Sequence, residues 1–159
     1  EAYLKDSGIS SYTILAPDIF MDVWFGMVIG MPLQSGQPVT LVGAASRKHS
    51  FVAAQDVAAF AVAAVDNPAA HNQYLPIGGP EGVSWTEVVE AVRNVTSSDI
   101  PVNHVQPGEM IPGLPPEISM LMAATETYDS VIDMTELAST FNVRPTPLQA
   151  FVRGMFGTP

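Results

Sequence analysis

Ser10-Ser11-Tyr12-Thr13-Ile14-Leu15-Ala16-Pro17 is the stretch that decides the fold. It is β-branched and aromatic, apolar on both faces and closed by proline. A strand covered on both sides reads this way, which favours a parallel sheet between helix layers. Before it, Glu1 to Ser7 is helix-compatible, and Gly8 is the left-handed stop residue. Two turns without an N-cap are too short to stand alone, so the helix is expected to begin upstream of residue 1. After it, Asp18 to Gly30 reads as a loop leading into an apolar helix. Helix followed by buried strand is half of an α/β unit.

Outward from that unit the punctuation is regular. Pro38 to Gly43 is a short strand between turn residues, and Ser50-Phe51-Val52-Ala53 a short extended piece. Asp56 opens an Ala-rich helix to Val65, with Val57, Phe60, Ala61 and Ala64 on one stripe. Gln73 to Ile77 is a further strand, cut by Gly78-Gly79-Pro80. Ser84-Trp85-Thr86-Glu87 is a capping box, opening a helix with Val88, Val92 and Val95 on one side. Pro101 to Val105 is an edge strand and Pro107 to Pro116 a loop. Glu117 to Tyr128 is a Met-rich helix. Asp133 and Thr146 are expected to cap the last two helices through Glu136 and Gln149, with Asn142 as a left-handed stop between them.

The chain has 159 residues, about one domain's worth at roughly 150 residues per domain. With 47% hydrophobic and 14% charged residues it is not a disordered acidic tail. A net charge of −10 argues against nucleic acid and against anionic membranes as partners. Cysteine is absent, which removes disulfides, thiolate metal sites and cysteine nucleophiles and is compatible with the cytoplasm. The most apolar stretch, Ile14 to Met31, is interrupted by Asp18 and Asp22 and does not read as membrane-spanning. The start has neither an initiator Met nor a signal-peptide pattern, so the chain is expected to be a fragment, a processed product or an incomplete record.

Few residues carry legible chemistry. His49, His71 and His104 have no metal-ligand spacing and read as loop or surface histidines. Arg47-Lys48-His49 is the basic cluster of an acidic chain, a solvated loop or a contact for an anion. Asp18 and Asp22 flank Phe20; they suit acid–base work if their environments differ, or helix capping, with Asp18 and Asp56 placed as N-caps. Met110, Met120, Met122, Met134, Trp24, Phe25 and Met27 are core, or the lining of an adaptable apolar pocket. No nucleophile elbow or Ser-His-Asp context occurs, and the catalytic residues are left unassigned.

Three stretches together resemble one family. Ser7-Gly8-Ile9 with Tyr12 to Pro17 and Phe20-Met21-Asp22 resembles the NmrA-like branch of the atypical short-chain dehydrogenases. So do Phe51-Val52 with Asp56-Val57-Ala58, and Tyr74 to Pro80 followed by Ser84-Trp85. Ala16 stands where that family has Arg, Asp22 for its Glu and Val23 for its Asn. The likeness covers the family's C-terminal half; its Gly-rich phosphate turn and Tyr-x-x-x-Lys pair would precede Glu1, and Gly78-Gly79-Pro80-Glu81-Gly82 is not that turn.

The resemblance implies an α/β fold: the C-terminal part of a Rossmann-type parallel sheet plus a smaller, mostly helical substrate lobe. Residues 9–31 and 51–80 would form the nucleotide-fold lobe, 32–50 and 81–130 the substrate lobe, and 131–159 helices packing back. It implies NAD or NADP as cofactor, with Pro17, Asp18, Ile19 and Phe20 beside it, and Met21, Asp22, Trp24 and Phe25 toward a small-molecule substrate. The implied activity is an NAD(P)-dependent oxidoreductase reducing a small carbonyl or quinone-like compound when intact. Alternatives are a non-catalytic dinucleotide-sensing regulator and a self-standing small dimeric binding fold. A half sheet leaves backbone groups unpaired, so self-association or pairing with a missing N-terminal half is expected.

Overall fold

The computed structural model describes residues 2–157; Glu1, read as part of the first helix, and 158–159 lie outside them. The order is α1 (Ala2–Asp6), β1 (Thr13–Pro17), α2 (Met21–Phe25), α3 (Met31–Gln34), β2 (Val39–Val42), α4 (Ala54–Ala64), β3 (Gln73–Ile77), α5 (Trp85–Thr96), β4 (Val102–Val105), α6 (Pro116–Thr125), α7 (Thr135–Phe141) and α8 (Leu148–Phe156). Strands alternate with helices, and both strand pairings are parallel. β1 pairs with β3 from Thr13 opposite Gln73 to Pro17 opposite Ile77. β2 pairs with β4 from Val39 opposite Val102 to Val42 opposite Val105. Parallel neighbours need a long crossover; α4 lies in the first and α5 in the second. The fold class is α/β, as the sequence implied.

β1 was expected to be covered on both sides. Instead all five of its residues are half-buried, whereas β2 is buried throughout. Among the described residues β3 is the strand bonded to β1, and α4 packs on it. β3 itself exposes Gln73, Tyr74 and Pro76. Proline at an edge is tolerated because it gives up no ladder donor there.

The apolar helix begins at Met21 and runs to Gln34 with a wider π winding over Gly26–Gly30. Pro32 explains the winding. Inside a helix its ring would collide with the carbonyl four residues back and donate no hydrogen bond. Loosening the preceding turn relieves that clash, and the glycines at its two ends cost no side-chain contacts.

Two hydrophobic clusters form the core. The larger joins Met21, Phe25 and Ile29 to Leu41, Trp85, Val88 and Val92. Phe25 is its centre, with ring centroids 5.2 Å from Phe51 and 5.8 Å from both Trp85 and Phe151. The smaller joins Val52, Phe60, Leu75 and Ile77 to Met134 and Phe141. Phe60 is the buried anchor of α4, with Val57, Ala63 and Ala64 partly buried beside it. Ala61, expected on the buried stripe, is exposed with Ala58, Val62 and Val65, so α4 leaves an apolar outer face uncovered.

The capping box at Ser84 and Glu87 forms as expected, and Gly8 and Asn142 both take positive φ. α6 ends at Thr125, three residues before the expected Tyr128, because Glu126 and Asp129 are drawn into hydrogen bonds with residues 45–48. No helix of the described residues is long and apolar enough to cross a membrane.

Candidate functional site at the strand ends

The carboxyl ends of β1 and β3 meet where the Asp18 N–H donates to the Ile77 carbonyl at 2.9 Å. Residues 49–52 thread through this meeting point. Val52 donates to Ile19 and accepts from Met21, both at 2.9 Å, and Gly79 donates to the Ser50 carbonyl at 3.3 Å. On the other side His49 and Val83 exchange two hydrogen bonds of 2.9 Å, and the Ser130 N–H donates to the Lys48 carbonyl at 2.8 Å.

The glycine pair after β3 serves this crossing. A Cβ on Gly79 would lie 2.2 Å from the Phe51 carbonyl oxygen, and one on Gly78 would lie 2.5 Å from the Ser50 Cβ. The two glycines are thus required by the close approach of this backbone to residues 50 and 51.

Asp18 is half-buried at the end of β1. Its Oδ2 accepts from the Ser50 N–H at 3.0 Å and from the Ser130 hydroxyl at 2.8 Å. It is not the N-cap of the next helix: that helix starts at Met21 behind Phe20, with no side-chain cap. Pro17, Ile19 and Phe20 are half-buried around it. Of the residues expected toward the substrate, Met21 and Phe25 are buried in the larger cluster, Trp24 is half-buried, and Asp22 is exposed. The Asp22 Oδ2 accepts from the Ala54 N–H at 2.7 Å. That N–H heads α4, so the cap of α4 comes from another helix.

Three further caps were placed wrongly. Asp56 is not an N-cap but the third residue of α4, buried, holding the Thr146 N–H and hydroxyl. Thr146 therefore does not cap α8, whose first N–H, from Leu148, goes to the Glu81 carboxylate at 2.9 Å. Asp133 stands one position outside the cap of α7, yet it still takes the Thr135 N–H at 2.9 Å.

His49 corrects the expectation most. Its side chain is fully buried, while His71 and His104 are exposed. Its Nδ1 lies 2.8 Å from the Ser130 hydroxyl and its Nε2 3.1 Å from the Thr125 carbonyl oxygen. The neighbouring cations are engaged by acids: Lys48 pairs with Glu87, and Arg47 with Asp129 at 3.4 Å. The Glu87 carboxyl is held below its ordinary value by the Lys48 ammonium and by the Ser84 N–H. The Asp129 carboxyl is likewise lowered, chiefly by the Lys48 backbone N–H.

Beyond the strand ends, a cavity of about 400 Å³ opens between the Met27–Pro32 turn, β2, β4 and residues 111–114. Met27, Met31, Ile111 and Leu114 give it apolar walls, with Thr40 and Asn103 as polar groups. Met27 is a member of the methionine set read from the sequence; Met122 and Met134 are buried core, and Met110 and Met120 are exposed. No group of three metal-ligating side chains occurs among the described residues.

No family model matches the chain. Isoeugenol synthase 1 of Petunia hybrida is 32% identical over 81 residues, half of this chain and a quarter of that protein. The crystal structure of an NADPH-dependent quinone oxidoreductase from Escherichia coli superposes on 98% of this chain with a TM-score of 0.78 at 19% identity. Isoflavone reductase superposes on 97% with a TM-score of 0.69 at 15% identity. The chain spans 58% and 55% of the lengths of those two structures. In fold the chain is therefore a Rossmann-type α/β structure shared with these reductases, as its resemblance to the NmrA-like short-chain dehydrogenases implied.

Proposed function

We propose that the chain is the C-terminal, substrate-facing half of an NAD(P)-dependent oxidoreductase that, when intact, reduces a small carbonyl or quinone-like compound. The observation that carries this reading is the joined carboxyl ends of β1 and β3, since open parallel α/β sheets bind ligands beyond those ends. The likeness in fold to an NADPH-dependent quinone oxidoreductase, solved also with NADPH, supports it.

The residues present suit one end of a nicotinamide dinucleotide. Pro17, Asp18, Ile19 and Phe20 offer half-exposed surface at the strand end. Asp18 Oδ1 makes no hydrogen bond among the described residues and is left to accept one from a ligand amide. Gly78 and Gly79 are taken up by close packing on Ser50 and Phe51, and in this reading the pyrophosphate belongs to the preceding half. A bound dinucleotide would supply the hydride; this chain would hold its nicotinamide end and the substrate. Asp22 and Trp24, which keep accessible surface, belong to the substrate side in this reading.

Pairing with a preceding half is part of the same proposal. The single bonded neighbour of β1 among the described residues, the exposed Val62 of α4 and the exposed Val65 just after it support it. So is the division into a nucleotide-fold lobe and a substrate lobe, and so is a cytoplasmic location.

The test titrates NADPH and NADH into the 159-residue chain and into a polypeptide extended upstream of Glu1 in its natural reading frame, then follows nucleotide oxidation with a panel of quinones. The chain alone should not saturate at micromolar nucleotide, whereas the extended polypeptide should bind and turn over. Tight binding by the 159 residues alone overturns the half-protein reading. Binding by the extended form without turnover on carbonyls or quinones replaces the enzyme with a nucleotide-sensing regulator.

A further inference from the structure

His49, Ser130 and Asp18 come from three separate segments and make a continuous line of contacts. The Thr125 carbonyl oxygen lies 3.1 Å from His49 Nε2. His49 Nδ1 lies 2.8 Å from Ser130 Oγ, and Ser130 Oγ lies 2.8 Å from Asp18 Oδ2. The imidazole is fully buried, between the rings of Phe51 and Tyr128 at centroid distances of 6.0 and 5.7 Å. Water therefore has little access to the ring nitrogens of His49, while Ser130 and Asp18 at the other end of the line are half-buried.

Counting protons along the line gives a definite answer. A neutral imidazole brings one N–H, the serine brings one O–H, and an ionised carboxylate brings none. Two protons cannot fill three contacts. If the neutral ring carries its proton on Nε2, it satisfies Thr125 and the serine turns to Nδ1. Two oxygens, Ser130 Oγ and Asp18 Oδ2, then face each other at 2.8 Å with nothing between them. If the ring carries its proton on Nδ1, the serine reaches Asp18. The bare Nε2 then faces the Thr125 oxygen at 3.1 Å. Each neutral tautomer leaves one contact repulsive, the buried His49–Thr125 contact in one case and the part-buried Ser130–Asp18 contact in the other, and unmade polar contacts shielded from water are costly.

We infer that His49, Ser130 and Asp18 form a single unit that holds three protons at neutral pH, as an imidazolium, a hydroxyl and a carboxylate in line. Ser130 relays between a buried cation and its counter-ion, and the net charge of the unit is zero. Such a pair is tolerable because each of the three protons lies between a donor and an acceptor, and the half-buried Asp18 keeps its other oxygen open to solvent or a ligand. The other charged groups on the packed segments are spoken for. Lys48 pairs with Glu87 of α5, Asp129 with Arg47, and the Glu126 carboxylate takes the Ala45 N–H.

The unit ties the end of β1 to residues 49 and 130. His49 and Ser130 are thereby positioning residues for the Asp18 carboxylate, which stands where β1 and β3 end. This holds whether or not a nucleotide binds there, so it is tested on the chain alone.

The experiment is nitrogen-15 NMR of the imidazole of His49 in the 159-residue chain at neutral pH, with carbon-13 detection of the Asp18 carboxyl. The expected result is two protonated ring nitrogens and an ionised Asp18; a neutral Asp18 carboxyl with a singly protonated ring overturns the imidazolium–carboxylate assignment. One ring proton together with an ionised Asp18 overturns it. Asp18→Asn removes the negative charge that faces the imidazolium, so the ring of that variant should become neutral. Ser130→Ala should produce the same change by cutting the line. A ring that stays doubly protonated in either folded variant shows that the extra proton does not belong to the unit.

Discussion

Asp56 and Thr146 are 90 positions apart and joined twice: the carboxylate takes the Thr146 N–H at 2.7 Å through one oxygen and the Thr146 hydroxyl at 2.8 Å through the other. The arrangement fastens the approach to α8 onto the first turn of α4. Asp56 is 5% exposed, so both bonds lie largely out of water. Asp56→Ala strands two donors and is expected to cost about 2–4 kcal/mol, because hydrogen bonds to a charged group contribute about 1.5–3 kcal/mol each and are not additive. Asp56→Asn keeps one acceptor for the Thr146 N–H and should cost roughly half as much. Urea unfolding midpoints at constant m-value check both; equal effects of the two variants would show that burial of the site, not the acceptor set, sets the cost.

Gly79 and Gly154 are expected to respond to alanine with opposite signs. At Gly79 the new Cβ would sit 2.2 Å from the Phe51 carbonyl oxygen, a backbone atom that cannot step aside without breaking the crossing at the strand ends. Gly79→Ala is therefore expected to cost about 3 kcal/mol or more, in the range of severe overpacking. At Gly154 in α8 nothing lies within 4 Å of the new atom. Gly154→Ala should stabilise by about 0.5–1 kcal/mol through helix propensity alone. Thermal and urea unfolding of the two variants read the pair of signs.

The Glu87 carboxylate links stability to pH in a direction that can be worked out. Its folded-state value lies below the ordinary 4.5 because of the Lys48 ammonium and the Ser84 N–H. The stability it contributes is thus fully present above 4.5 and is lost as pH falls through the lowered folded value. Glu87→Gln retains the capping-box acceptor but not the charge. The wild type should exceed this variant in stability near neutral pH by less than about 1 kcal/mol, since the ion pair is half exposed and salt-screened. The difference should shrink in acid and in high salt. A difference that grows on acidification contradicts the assignment.

These residues also show where sequence reading succeeds. The Ser84–Glu87 box is legible because donor and acceptor are three positions apart, and helix geometry alone brings them together. The strand-forming segments and the glycine and asparagine helix stops are local in the same sense. Asp18, Asp22 and Asp56 are short acidic side chains near helix starts, which is the signature of an N-cap, and Glu81 stands shortly before α5. Each instead serves a donor on a distant segment: Ser130, Ala54, Thr146 and Leu148. Nothing in one sequence distinguishes a local cap from a remote one, because the remote donor is defined only once β1 and β3 have paired. His49 was read as a loop residue for the same reason; its burial depends on Tyr128 and Ser130 coming from beyond α6. The half-covered β1 is a different case: its apolar composition reports the covering that the residue pattern asks for, more than this chain provides.

The remote cap of α4 gives a test that separates it from an ordinary surface contact. The Asp22 carboxylate accepts the Ala54 N–H at 2.7 Å across 32 positions, and α4 has no side-chain cap of its own, since its N-cap is Ala53. Asp22→Ala should cost about 1 kcal/mol, the usual price of a lost N-cap. Ala54→Pro removes the donor instead. Proline is well suited to the first helical position, where its missing N–H leaves no intrahelical bond unmade. The preceding Ala53, at φ −78° and ψ 141°, already has the extended backbone that a following proline demands. In the Ala54→Pro background Asp22→Ala should therefore cost close to nothing, and a double-mutant cycle should return a coupling of about 1 kcal/mol. If Asp22→Ala costs the same in both backgrounds, Asp22 acts on the helix dipole or on solvent exposure of the neighbouring surface, and the cap is not its role.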